Sequence, residues 1–173
     1  QVTGVQTCAL PIFHRLGVEG RAGYIFQTSP FLEYSNHQYK AMKNAYAGHL
    51  KYSFQLRPHT VADQAYIGAY QGIGVGYFNF GNPEELGNPL AVYLFQGGRI
   101  AQFSPRISLN YEWNFGASFG WKPYDEYDNP ENQIIGSKVN AYLNVNLYLK
   151  WALSPKFDLM IGTTGSHFSN GNT

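Results

Sequence analysis

The stretch Ile107–Trp121, ISLNYEWNFGASFGW, decides the fold. Apolar side chains occupy its odd positions, among them Leu109, Trp113 and Phe115, and small or polar side chains occupy its even positions. An amphipathic helix would repeat its apolar positions about every 3.6 residues, whereas a half-buried strand repeats them every second residue. The unbroken alternation over 15 residues therefore predicts a β-strand.

The same alternation recurs along the chain on both sides of this stretch. Residues 138–151 and 44–56 alternate as regularly, and four other segments do so less regularly. The predicted strands are 17–28, 44–56, 65–80, 90–102, 107–121, 138–151 and 156–169. Several of them run for 12 to 15 residues, beyond the common strand length of about 5 to 6. The sequence therefore predicts an all-β protein with long antiparallel strands.

Composition excludes several classes of protein. Charged residues make up 13% of the chain, against about 25% in an average protein. The net charge is +1 and Lys and Arg do not cluster, which disfavours a nucleic-acid binder. Cys8 is the single cysteine, so an internal disulfide framework, a cysteine zinc site and a CxxC redox motif are excluded. We expect neither a metal nor a cofactor.

The first residues are expected to be foreign to the fold. Residues 2–12, VTGVQTCALPI, equal an in-frame translation of a sequencing-library adapter residue for residue. We therefore expect residues 1–12 to be an unpacked artefact and residues 13–173 to form the barrel domain. Because the chain stops within a motif at Thr173, we also expect a C-terminal truncation and a missing signal peptide.

Alternation fits either a soluble barrel with its apolar face inside or a membrane barrel with its apolar face outside. Long strands and connections that alternate between long and short favour an up-and-down outer-membrane β-barrel, which carries short periplasmic turns and longer external loops. Single-chain bacterial barrels have an even number of strands, so we expect eight, of which about seven are present. Six aromatic residues near strand ends fit the girdles of such barrels: Tyr24, Phe26, Phe78, Phe80, Trp121 and Trp151.

Polar residues interrupt the apolar face at the end of the last strand. The parity of that strand carries His167 and Ser169 to the lipid-facing side, where an unpaired polar group costs several kcal/mol. An imidazole two residues from a hydroxyl can act as general base for a nucleophilic serine, and Asn170 can donate to an oxyanion. His167 lies 12 residues beyond Pro155, roughly 30 Å along the barrel at about 3.3 Å per residue and a tilt near 40°. The alternative is that both residues are ordinary interfacial residues at a strand end.

The run His167–Gly171, HFSNG, resembles the lipid A 3-O-deacylases of the PagL type, grouped with acyloxyacyl hydrolases. Residues 81–89, GNPEELGNP, are similar to a loop of one branch of that family. The resemblance implies an eight-stranded outer-membrane barrel whose membrane-facing Ser, His and Glu hydrolyse an ester-linked acyl chain of lipopolysaccharide. It implies Ser169 as nucleophile, His167 as general base, and Asn170 with the backbone N–H of Gly171 as oxyanion hole. The acidic member is expected beyond Thr173, and without it the fragment is expected to be inactive.

The predicted partners are lipid A and the lipid of a Gram-negative outer membrane, with no nucleic acid. The rival hypothesis is a non-catalytic structural or adhesion barrel that uses its Tyr- and Asn-rich loops. Asp125, Glu126 and Asp128 could hold a divalent cation, but a solvated acidic loop is the favoured interpretation. Other polar and glycine residues are interpreted structurally: Arg106, Glu112, Lys138 and Lys150 as paired filling of the lumen, Gly68, Gly72, Gly74 and Gly76 as relief for curvature, and His37, His49 and His59 without a role.

Overall fold

The computed structural model describes residues 12–56, 61, 65–66 and 68–170, and it is all-β. Seven antiparallel strands form one sheet, and each strand pairs with the next strand in the chain. The strands are β1 (Ile12–Tyr24), β2 (Asn44–Leu56), β3 (Tyr70–Asn79), β4 (Gly87–Gln102), β5 (Ile107–Trp121), β6 (Val139–Ala152) and β7 (Asp158–Ser169). A four-residue helix, α1 (Pro30–Glu33), lies between β1 and β2. No helix in these ranges is long and apolar enough to cross a membrane.

The sheet curls into a half-barrel. Within the described residues β1 and β7 each pair on one side only. Side chains nevertheless connect them across the concave face: Arg15 Nη1 donates to Asp158 Oδ2 at 2.5 Å, and Arg21 Nη1 lies 3.4 Å from Thr164 Oγ1. The two edge strands therefore face each other across an opening, as the first and last strands of an unclosed up-and-down barrel would.

The outer, convex face of the sheet is apolar and the inner face is polar. On β5 and β6 the outward Trp113 and Leu143 are 46% and 43% exposed, whereas the inward Asn114 and Asn144 are 1% and 3% exposed. A soluble carrier would have placed Trp113 and Leu143 inside. The prediction that the apolar face points outward is therefore confirmed.

The inner face is packed with side chains, and glycines make room for them. A Cβ on Gly74 would lie 2.4 Å from the ring of Tyr93, and one on Gly76 would lie 2.5 Å from the ring of His49. Because Cβ atoms do not approach other atoms so closely, only glycine lets these rings cross β3. Gly74 and Gly76 therefore have a role in packing, and the predicted role of these glycines in curvature stays a prediction.

Glu112 is the centre of the inner polar network. Its carboxylate accepts hydrogen bonds from Lys51 Nζ at 2.5 Å, Tyr70 OH at 2.9 Å and Asn146 Nδ2 at 3.0 Å. The expectation of paired polar filling holds for Glu112, but its cation is Lys51. Arg106 and Lys138 were predicted to point inward and are exposed instead, because they lie in the β4–β5 turn and just before β6.

The predicted aromatic girdle is wrong for half of its members. Phe78 is 4% exposed and packs inside the sheet, as do Phe80 and Trp121. Gly120 has φ +90°, which breaks the alternation of β5 and turns Trp121 inward, where its Nε1 donates to Ser118 Oγ at 2.8 Å. The other three, Tyr24, Phe26 and Trp151, are exposed.

The largest differences from the predicted strand bounds are at the starts of β1 and β3. β1 begins at Ile12 rather than 17, and Ile12 pairs with Leu56 along an unbroken register with β2. β3 begins at Tyr70 rather than 65. The residue Ile12 therefore belongs to the sheet, and residues 1–11, the rest of the segment expected to be an artefact, lie outside the described residues.

Three connections pack together over one end of the sheet. We call them the loop cap: residues 25–43, 80–86 and 122–138. Asn129 and Asn132 each donate to the backbone carbonyl of Glu85, at 2.9 and 2.8 Å, and the Glu85 carboxylate accepts the backbone N–H of His37. Five residues of the cap form a buried apolar cluster with Trp121 of β5: Phe31, Leu32, Met42, Leu86 and Ile135. These loops are therefore held in place by contacts with one another.

Candidate functional site

The alternation of β7 places His167 and Ser169 on the outer face. The inward positions are identified by Asn144, whose Nδ2 donates to Thr164 Oγ1 at 2.6 Å and Ser166 Oγ at 2.9 Å. His167 is consequently opposite Leu143 of β6 and shares its outward face. The His167 side chain is exposed and Ser169 is half-buried. Both lie at the end of the sheet that the loop cap covers.

Phe168 anchors the strand between these two residues. Its ring points inward, with its centroid 4.9 Å from Trp121, 5.2 Å from Phe78, 5.3 Å from Tyr142 and 5.9 Å from Phe80. Phe168 packs against both buried apolar clusters, the one in the cap and the one inside the sheet. Within the described residues β7 pairs on one side only, and the Phe168 contacts hold it in place at the site. Phe168 had no predicted role, although its position in the alternation of β7 already indicated an inward side chain.

Small residues lie beside Ser169 on the outer face. Ala141 of β6 is opposite Ser169, and Ala117 of β5 is opposite Ala141. The neighbouring rows carry larger apolar residues: Leu143 with Phe115, and Val139 with Phe119. Ser169 and the two alanines therefore form a shallow groove on the outer face, with larger apolar side chains on both sides.

Asn170 follows directly after β7 and lies against the loop cap. A Cβ added to Gly136 would come within 2.5 Å of Asn170 Nδ2. The amide of Asn170 is thus placed between the end of β7 and the β5–β6 connection. Gly171, the second predicted oxyanion donor, lies outside the described residues.

The acidic loop forms a local turn. Asp125 Oδ1 accepts the backbone N–H of Tyr127 at 2.9 Å and that of Asp128 at 3.0 Å. These N–H groups, that of Asp128 first, hold the pKa of Asp125 below its ordinary value. Asp125, Glu126 and Asp128 are exposed, and the described part of the chain contains no group of three or more side chains arranged to hold a metal ion.

The three histidines without a predicted role lie in different parts of the chain. His49 is buried on the inner face, with Nδ1 2.9 Å from Tyr93 OH, and contributes to packing there. His37 is exposed in the loop cap, and His59 lies outside the described residues. His14 is also exposed, and its Nδ1 lies 2.7 Å from Tyr52 OH. Among the described histidines that lie in strands, His167 is the one that has a serine two residues away.

Comparisons with known proteins add no relative. No protein-family model matches the chain, no curated protein matches it, and no solved structure matches it. The resemblance of the His167–Gly171 run to lipid A deacylases stays a prediction, and a function for the chain is inferred from the geometry of its site.

Proposed function

We propose that the protein is an outer-membrane ester hydrolase that removes an ester-linked acyl chain from lipid A of lipopolysaccharide. The observation that carries the proposal is a His and a Ser, two residues apart, at the end of β7 on a predominantly apolar outer face. A polar pair that faces hydrocarbon costs free energy, and such residues commonly mark a functional site. Hydrolysis of a lipid ester at the membrane boundary is a task that needs a nucleophile in that position.

The faces of the sheet support a location in the outer membrane of a Gram-negative bacterium. The apolar outer face matches a lipid environment, and the inner face is filled by polar side chains. The strands contain 10 to 16 residues, and a tilted strand needs about 9 to 11 to cross a bilayer. Every strand is thus long enough to span hydrocarbon.

The chemistry follows from the side chains at the end of β7. Ser169 Oγ attacks the acyl carbonyl carbon while His167 takes the hydroxyl proton, which gives a tetrahedral oxyanion. Asn170 Nδ2 and the Gly171 backbone N–H donate to that oxyanion. Collapse expels the sugar oxygen, which takes the proton back from His167. Water then hydrolyses the acyl–Ser169 ester with His167 again acting as base.

A third, acidic residue is needed to orient the protonated imidazole. The edge of β7 opposite β6 is unpaired within the described residues. A strand that paired with it would carry its outward side chains directly beside His167, since opposite residues in an antiparallel pair lie about 4.5 to 5.5 Å apart at Cβ. If a further strand closes the barrel between β7 and β1, we propose that it carries the acid.

The row of small residues next to Ser169 suggests where the acyl chain lies. Ala141 and Ala117 leave a shallow path from Ser169 across β6 and β5, with larger apolar side chains on both sides. An acyl chain in this path would have apolar contacts and keep its carbonyl near the Ser169 hydroxyl. The path therefore fits a single extended hydrocarbon chain.

The proposal is tested by mass spectrometry of lipid A from cells that express the full-length gene product. We expect wild-type protein to remove one acyl chain and Ser169→Ala to leave lipid A intact. Ser166→Ala is the matched control, because Ser166 lies three residues away but points inward to Asn144. Deacylation by Ser169→Ala at the wild-type level would refute the assignment.

A non-catalytic adhesion barrel is the second candidate. It is favoured by exposed tyrosines on the loop cap, with Tyr39 87% and Tyr127 88% exposed. The strand that pairs with β7 discriminates between the two candidates. An outward acidic residue beside His167 supports the enzyme, whereas solely aliphatic outward residues support the adhesion barrel.

A further inference from the structure

Gly136 of the loop cap leaves space that the Asn170 amide fills. A Cβ on Gly136 would lie 2.5 Å from Asn170 Nδ2, and the next atom it would meet, Asn170 Cγ, is 3.7 Å away. Gly136 does not need to be glycine for its backbone, because the described glycines with positive φ are Gly68, Gly81, Gly87 and Gly120. A side chain is therefore excluded at Gly136 because the Asn170 amide occupies the space that a Cβ would need.

The residues on both sides of Gly136 are fixed. The Ile135 N–H donates to Asn132 Oδ1 at 3.2 Å, and the Ile135 carbonyl accepts the Tyr124 N–H at 2.7 Å. On the other side, buried Asn140 donates from Nδ2 to the carbonyl of Ser137 at 3.1 Å. Gly136 cannot retreat from an added methyl group without breaking these contacts.

The anchoring continues into the rest of the loop cap. Asn132, which holds Ile135, also donates to the carbonyls of Glu85 and Lys122, each at 2.8 Å. The backbone next to Asn170 is thus connected to the residues just before β4 and just after β5. In a clash between a Gly136 Cβ and Asn170, the Asn170 side chain is the part that moves.

We propose that Gly136 is a positioning residue, through which the loop cap holds the Asn170 amide where it donates to the oxyanion formed at Ser169. The inference rests on the proposed hydrolase function. To restore an ordinary van der Waals distance, the amide in Gly136→Ala must move by about 1 Å, a misplacement that can lower a rate by about 100-fold. The loop cap then has a part in catalysis without contact with substrate.

The test uses the purified full-length protein in detergent micelles with lipopolysaccharide as substrate. We expect Gly136→Ala to lower kcat by about 10- to 100-fold with KM unchanged, and Asn170→Ala to lower it by about 100- to 1000-fold. The double variant should be no slower than Asn170→Ala, since both changes remove the same donor. Gly23→Ala is the matched control, because a Cβ on Gly23 meets nothing within 4 Å, and it should keep wild-type kinetics.

A second readout does not depend on activity. The side-chain NH2 resonance of Asn170, assigned by its loss in Asn170→Ala, should shift in Gly136→Ala and stay in place in Gly23→Ala. Gly136→Ala should cost no stability in the Asn170→Ala background, because the atom it clashes with is gone. Comparing the stability of Gly136→Ala with and without the Asn170 side chain still tests the clash if Gly136→Ala alone folds poorly.

The outcomes separate the two proposals. An inactive wild-type protein would overturn the hydrolase function, while the NMR shift still decides whether Gly136 positions Asn170. An active wild type in which Gly136→Ala has normal kcat and an unmoved Asn170 resonance would overturn the positioning role alone. Losses from Gly136→Ala and Asn170→Ala that multiply in the double variant would overturn it as well.

Discussion

Removing the Glu112 carboxylate is expected to cost the protein about 3 to 5 kcal/mol of stability, the range for deleting one partner of a buried ion pair. The Glu112 side chain is 3% exposed and that of Lys51 is 15% exposed, so solvent screens the pair little. In Glu112→Ala the Lys51 ammonium loses its 2.5 Å contact and keeps a longer one, to Glu19 Oε2 at 3.5 Å, which favours the low end of this range. Asn146 Nδ2 loses its acceptor. Tyr70 keeps a partner, since its OH also lies 2.5 Å from Tyr148 OH.

Urea unfolding in micelles, followed by tryptophan fluorescence, measures this cost. Glu112→Gln removes the charge and keeps one acceptor oxygen, which can serve either Asn146 or Tyr70 but not both. It should therefore fall between wild type and Glu112→Ala. The double variant Lys51→Met/Glu112→Leu should recover most of the loss, because replacing a buried pair by apolar residues is often neutral or stabilising. Added salt should change the difference little. A loss below about 0.5 kcal/mol for Glu112→Ala, as at an ordinary surface position, would refute the buried inner network.

Two further predictions concern packing at and below the site. Phe168→Ala should lower the free energy of unfolding in urea by about 3 kcal/mol, the low end for Phe→Ala, because Phe168 is only half-buried. It should also slow fatty-acid release, because the strand between His167 and Ser169 loses its anchor. Unchanged stability would contradict the role of Phe168 as an anchor. Gly74→Ala should cost about 1 to 3 kcal/mol by overpacking, because its Cβ would meet the Tyr93 ring at 2.4 Å; combining it with Tyr93→Ala should remove that clash, and additive losses would contradict it.

The strands were predictable where period-two alternation is unbroken. β5 and β2 have the predicted bounds because their faces differ in polarity at nearly every position. β1 was misplaced because its sequence alternates weakly and its limits come from pairing with β2, a contact that local pattern does not contain. Trp121 was assigned to the wrong face because a single residue, Gly120 at φ +90°, reverses the parity.

The positions of the candidate site residues on β7 followed from parity, but their supports did not. Phe168 meets rings from β3, β5 and β6, and Asn170 meets Gly136 from a distant loop. Such contacts join residues that are far apart in sequence, so the period-two alternation of a single strand does not predict them. The loop cap was missed for the same reason, since loops rich in Asn and Gly read as solvated connections.

The most direct test of the proposed function is fatty-acid release from lipopolysaccharide by purified full-length protein, with Ser169→Ala, His167→Ala and Ser166→Ala compared at equal folded concentration. The hydrolase proposal predicts fatty-acid release by wild type and Ser166→Ala, and loss of release in Ser169→Ala and His167→Ala. The double variant Ser169→Ala/His167→Ala should release fatty acid no more slowly than either single variant, because the effects of residues in one catalytic unit are not additive. Absence of release by wild type, or continued release by Ser169→Ala, would contradict it.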